Sequence, residues 1–225
     1  MPKLPVAALL FLLVSGNAFA AIRDQEILEC GAGEIVTWND GTDRRAMSRH
    51  LRFAYRHEGA PGWFSRQQVE SFVARAADVW SACGITTELV APQGVPASDA
   101  GYILVLWSEA GSRGNFGLAN LGERTISLGA APFALLNSRN PTYDARQTLQ
   151  MVISHEMGHF FGLMAHSKRC VDVLSYYHDG KGEKCLTRDP AGMPKAVEYR
   201  HTLPTACDIA RCRAVNGLQT QTPGR

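Results

Sequence analysis

Beyond residue 20 the chain has no apolar run long enough to span a membrane, so the body of the protein reads without a stable membrane span. It also lacks an excess of either charge, with 23 Lys and Arg against 21 Asp and Glu and a formal net charge of +2. So even a balance argues against nucleic acid or an acidic membrane surface as the main partner. No internal repeat and no low-complexity tract is present, and no calcium-loop pattern either, so calcium stays an unsupported alternative. There is no odd cysteine left over.

The start of the chain does carry a short apolar run. Lys3 supplies a positive start, residues 7–14 an apolar stretch, and Ala18-Phe19-Ala20 a small-x-small cleavage site. Residues 1–20 therefore read as a signal peptide, with a retained N-terminal anchor as the alternative. Beyond Ala20 there remain 22 basic and 21 acidic residues, and enough chain for one domain with a hydrophobic core. All six cysteines lie in that part, and an even count in an exported chain favours disulfides and a secreted or periplasmic location. Cys170 and Cys185 are expected to close a short loop. Cys207 and Cys212 lie five apart in a predicted helix, which points them to different faces. Each is expected to pair elsewhere, with Cys30 and Cys83 in an order the sequence leaves open.

The chemistry concentrates in His155-Glu156-Met157-Gly158-His159-Phe160-Phe161-Gly162, followed by His166. Two histidines at i and i+4 project from one helix face and can share one metal ion. The glutamate beside the first histidine is placed to take a proton from an attacking water. Glycine is a natural helix stop, because it accepts the left-handed conformation that turns the chain back. That turn brings His166 towards the first two. Three protein ligands and one open position is the pattern of catalytic zinc, so the expected cofactor is one Zn²⁺.

The stretch resembles the metzincin metallopeptidases, and the matrixins among them, whose signature is HExxHxxGxxH followed by a Met-turn. Two residues depart from it. Ala165 stands in the place of the third histidine, and His166 comes one residue later; Leu174 stands in the methionine position of Val171-Asp172-Val173-Leu174-Ser175-Tyr176-Tyr177. Leucine keeps an apolar floor but loses the thioether. Spare ligands are His178, or a downstream acid from Asp172, Glu183 and Glu198. Cys30-Gly31 also invites comparison with the matrixin cysteine switch, in which a thiolate caps the zinc, although the surrounding residues differ and no thiol is spare.

The remaining chain fits an α+β (mixed α/β zincin) fold with a twisted, mostly parallel sheet, an active-site helix, a backing helix and a small irregular C-terminal lobe ending in a helix. Residues 21–48 read as a lead-in, with a short strand at 34–38 and a turn at Asn39-Asp40-Gly41. The domain itself is placed at 49–217, with a frayed tail at 218–225. Within it, 51–55 alternates as a half-buried strand, and Ser65 to Gln68 caps a helix carrying Val69, Phe72, Val73, Ala76, Val79 and Trp80. Trp80 reads as core. Strands are expected at 86–90 and 102–107, a hairpin at 116–128, a loop at 135–142, and a helix opened by Asp144. Thr205 opens a last helix that stops at Gly217.

By the resemblance, His155, His159 and His166 hold the zinc and Glu156 is general base. Tyr176, two residues after the Met-turn position, hydrogen-bonds the oxyanion as in astacins and serralysins; its alternative is a packing tyrosine. Gly117, Leu118 and Ala119 form the sheet edge that a protein or peptide substrate joins. His50, His57 and His201 read as exposed or structural. The expected function is a secreted or periplasmic zinc endopeptidase. The alternative from another class is a zinc-bound but inactive binding module. Substrate specificity and oligomeric state stay open.

Overall fold

In the computed structural model, which describes residues 15–94, 97–176, 180–191, 193 and 198–218, the apolar runs assemble into one five-stranded sheet. Residues 1–14 of the expected signal peptide, Tyr177, His178 and the tail from 219 lie outside the described residues.

The sheet order is β2 (Thr86–Leu89), β1 (His50–Arg56), β3 (Ile103–Trp107), β5 (Thr125–Leu128), β4 (Gly117–Asn120). Three of its pairings are parallel; β4 and β5 alone run antiparallel, as the hairpin expected from the sequence. The near-continuous apolar run of β3 is buried because the strand is central and covered on both faces. One face carries the main core. There α2 (Arg66–Ser81) and α6 (Ala145–Phe160) pack together over the sheet, α2 burying Val69, Val73, Ala76, Ala77 and Trp80. Ser65 caps α2 by accepting from the Gln68 N–H. Trp80 is core, stacked on Phe161 and donating its indole N–H to the Ser154 carbonyl at 2.8 Å. The other face carries a small cluster of Ala54, Ala97, Tyr102 and Leu104, to which α3 (Ala97–Ala100) contributes.

Two further helices depart from expectation. Of the predicted loop at 135–142, residues 135–139 are instead the end of α5 (Ala130–Arg139), and 140–142 follow as loop. Gly129 gives α5 no side-chain cap; Glu109, at the start of the short α4 (Glu109–Ser112), accepts the Ala131 N–H at 2.8 Å instead. A cap borrowed from another element leaves no local sequence signal. The second is α1 (Ser15–Leu28), which runs through the expected cleavage point. Its Glu26, almost fully buried, accepts from the Tyr199 hydroxyl (2.6 Å), the Thr187 hydroxyl (3.1 Å) and the Arg188 N–H (2.7 Å). The lead-in is thereby anchored to the irregular lobe after α6.

That lobe closes with α7 (Ala206–Val215), begun by a reciprocal capping box between Thr205 and Asp208. Three disulfides tie it down: Cys170–Cys185 within the lobe, Cys30–Cys207 from the lead-in to α7, and Cys83–Cys212 from the end of α2 to α7. Cys207 and Cys212 do pair elsewhere, and the order left open by the sequence is settled. With Cys30 bonded to Cys207, its thiol is not available to cap a metal. Leu218, the first residue of the expected tail, packs on the main core. No helix among the described residues is long and apolar enough to cross a membrane.

Candidate metal centre

Helix α6 is buried along most of its length, and its last two turns carry His155, Glu156 and His159. It ends at Phe161, and Gly162 turns the chain with φ of +102°. The next segment brings His166 back. The three imidazole centroids form a nearly equilateral triangle, 5.3, 5.1 and 5.2 Å on a side.

The ring orientations follow from their partners. Nδ1 of His155 faces the Val173 carbonyl (2.8 Å), Nδ1 of His159 the Leu163 carbonyl (2.7 Å), and Nδ1 of His166 the Asp40 carboxylate (2.7 Å). All three partners are acceptors, so each Nδ1 carries the proton and each Nε2 presents a lone pair. These Nε2 atoms converge, with His155 and His166 Nε2 only 3.2 Å apart. Two lone pairs at that distance repel unless a cation lies between them. A tetrahedral zinc with nitrogens at about 2.0–2.1 Å sets neighbouring nitrogens about 3.3 Å apart, so the donor set fits the ion. Among the described residues the only other candidate donor cluster is Cys30, Glu34 and Cys207, whose sulfurs are consumed in a disulfide.

The electrostatics suit neutral donors. Burial holds His155 well below the ordinary imidazole range, helped by the charges that His159 and His166 would carry. Burial, then the same repulsion from His166, takes His159 down to about 4. His166 is lowered by burial while Asp40 pulls the other way. Glu156 is pushed up to about 7 by burial, opposed by the Ala119 N–H that donates to its Oε2 at 2.8 Å.

These groups line a cleft of about 310 Å³ together with Gly117, Leu118, Met151, Tyr176 and Arg200. Strand β4 is the sheet edge above α6. It comes close because residue 117 is glycine: a Cβ there would lie 2.4 Å from Val152 Cγ1. Tyr176 stacks on the His166 ring with centroids 3.9 Å apart, is 40% exposed, and its hydroxyl has no protein partner among the described residues. Burial raises that phenol to about 12, with Asp40 and Glu156 adding to the effect. Leu174 is fully buried beneath the histidines, close enough that a Cβ on Gly158 would meet its Cδ2 at 2.7 Å.

The three acids named from the sequence as spare ligands have other partners. Asp172 is bound by Ser167, Arg169 and Thr205, Glu183 pairs with Lys168, and Glu198 grips Arg200 through both oxygens at 2.8 Å. His50, His57 and His201 bond to Thr86, Tyr55 and Leu203 respectively, away from the cleft. Sequence reasoning missed Arg200 and Asp40. Arg200 comes from the aperiodic stretch and also donates to the Ser175 carbonyl at 3.3 Å. Asp40 was visible only as a turn residue.

Beneath the cleft, Asp208 accepts the Val173 N–H at 2.9 Å, and the Thr205 hydroxyl bridges it to Asp172. Burial, joined at Asp172 by the charge of Asp208, raises both carboxyls, Asp172 to about 7. Each binds its proton more tightly folded than unfolded. The contribution of Asp172 to stability is therefore complete below about pH 4 and lost as pH rises through about 7, and that of Asp208 is lost in the same direction. Urea midpoints should fall between about pH 5 and about pH 8, and Asp208→Asn should flatten that fall. Equal slopes in the two proteins would refute the assignment.

No protein-family model matches this chain, and no curated protein matches it. Among solved structures, a chain in the GM1-bound form of the ECX AB5 holotoxin aligns at 11% identity over 78% of this chain and 86% of its own, with a TM-score of 0.47. High choriolytic enzyme 1, a hatching enzyme zinc-protease from the medaka fish Oryzias latipes, aligns at 10% identity over 86% of this chain and all of its own, with a TM-score of 0.42.

Proposed function

We propose that this protein is an exported zinc endopeptidase. The observation that carries the proposal is the convergence of three Nε2 lone pairs, each fixed by an acceptor on Nδ1, beside a buried carboxyl in an open cleft. Zinc, when bound, supplies Lewis acidity that polarises a carbonyl and lowers the pKa of water. Every other part of the reaction falls to side chains of this chain.

His155, His159 and His166 are the ligands. Glu156, buried beside the donor triangle, takes a proton from the attacking water and returns it to the leaving amine. Release from the Ala119 N–H frees its Oε2 for that work. The Tyr176 hydroxyl, lying over the His166 ring, donates to the oxyanion as the carbonyl becomes tetrahedral. Gly117, Leu118 and Ala119, on the outer strand of the sheet, align an extended protein or peptide segment along the cleft. Export is supported by the N-terminal apolar run and by three disulfides, which persist in oxidising compartments.

The test is metal removal. The protein purified without residues 1–20 should contain one zinc and cleave members of a broad peptide library. A chelator should abolish cleavage, and added zinc should restore it. The metal-free protein should also unfold more easily, by about 2.7 kcal/mol relative to protein with free zinc at 100 times its Kd. Zinc without cleavage would instead establish a binding module. Absence of zinc would overturn the site.

A further inference from the structure

His166 differs from the other two histidines in how it is held. His155 and His159 stand on a buried helix, and their Nδ1 protons go to backbone carbonyls, those of Val173 and of Leu163 just beyond the helix. His166 stands in the turn after Gly162, outside any helix or strand, where its ring stacks on Tyr176 but no backbone carbonyl meets its Nδ1.

We propose that Asp40 is the positioning residue that makes His166 a ligand, an inference that rests on the zinc reading above. Its carboxylate grips one residue twice: Oδ1 accepts the His166 backbone N–H at 2.8 Å, and Oδ2 accepts the ring Nδ1–H at 2.7 Å. The first bond places the Cα. The second stops ring rotation and keeps the proton on Nδ1, so that Nε2 points its lone pair at the common centre. Free imidazole side chains favour the opposite tautomer, which would aim an N–H at His155. A carboxylate behind the ring also raises its basicity as a donor.

Asp40 is in turn held by the segment around it. The Trp38 N–H donates to the His166 carbonyl at 3.0 Å, and the Lys168 N–H to the Val36 carbonyl at 2.9 Å. Asp43 accepts the N–H groups of Met164 and Ala165 at 2.9 and 3.1 Å and is bound by Arg211 through both oxygens. Gly41 passes so near that a Cβ would lie 2.6 Å from the Met164 carbonyl oxygen. The strand expected at 34–38 is reduced to a single bridge between Thr37 and Ser167, and the stretch from Val36 to Arg44 is an irregular segment laid along the histidine turn. It aims His166 from outside, which lets the ring reach the centre although it falls one residue late in the motif. It also makes this stretch part of the metal centre rather than a removable lead-in.

Two measurements on the protein without residues 1–20 test this. Ring ¹⁵N spectra of the metal-free protein should show His166 protonated at Nδ1, and Asp40→Ala should move the proton to Nε2. Chelator competition should show zinc affinity falling about 10- to 100-fold in Asp40→Ala. Asp40→Asn should fall comparably, because whichever way the amide turns, its NH₂ faces one of the two N–H groups. An Nε2–H tautomer in the unsubstituted protein would overturn the proposal without any variant. So would zinc affinity within threefold of the parent in both variants, leaving the zinc reading intact. The Nδ1–H tautomer in a protein that binds no zinc would uphold the role of Asp40 on the ring and remove the zinc reading instead.

Discussion

Glu156→Gln should retain one zinc and lose peptide cleavage by about 10²- to 10⁴-fold, the range that a positioned acid–base group supplies. Glutamine has nearly the same shape, and its carbonyl oxygen can keep the bond to the Ala119 N–H, so the edge strand and the cleft should be undisturbed. What it cannot do is take up a proton. In the metal-free protein its effect on stability should run the other way at alkaline pH, since burial there makes the ionised carboxyl costly once pH exceeds about 7 and an amide carries no such penalty. The expected pattern is an unchanged zinc content, an equal or higher unfolding midpoint of the metal-free protein at about pH 8, and a collapsed kcat. Cleavage within tenfold of the parent would show that the proton goes elsewhere. Lost zinc would mean that Glu156 shapes the donor triangle itself.

What could be read from the sequence follows the distance over which each feature is determined. His155, Glu156 and His159 sit within two turns of one helix, and Gly162 must follow at once, so spacing alone revealed them. Strands β1 and β3 were legible because their burial is recorded as an alternation and a run of apolar residues, β3 most plainly. Helix α5 was not, because its cap comes from Glu109 and only Phe133 of its residues is fully committed to the core. The cysteines were legible halfway. Five residues of separation ruled out a Cys207–Cys212 bond, but choosing between Cys30 and Cys83 needs to know where α7 lies. Asp40 is the far limit of the same rule. Its partner is 126 residues away, and only the folded chain brings them together. The shifted histidine, a departure when read as a motif, is the position at which that distant contact acts.

Gly162→Ala should be among the most damaging single-methyl changes, costing about 3–5 kcal/mol of folding free energy. Two causes combine. At φ of +102° any side chain is strained, which costs on the order of 1–3 kcal/mol. The new Cβ would also lie 2.0 Å from the Arg44 carbonyl oxygen and 3.1 Å from the Ala46 nitrogen, and backbone cannot swing aside as a flexible side chain can. Relief requires moving the segment that carries Asp40 and Asp43, and with it the hydrogen bond from the Arg44 N–H to the Gly162 carbonyl. Zinc affinity should therefore fall along with stability. Gly33→Ala separates the two causes, because Gly33 also has positive φ, +80°, but a Cβ there meets nothing within 4 Å. That variant should lose only about 1–2 kcal/mol by the strain and keep its affinity for zinc. If denaturant titrations gave equal losses for the two alanines, the collision with Arg44 would be unimportant and the contact between lead-in and histidine turn would be loose. A larger loss at Gly162, with weakened zinc binding only there, would show that the turn and the segment laid against it form one rigid unit around the metal.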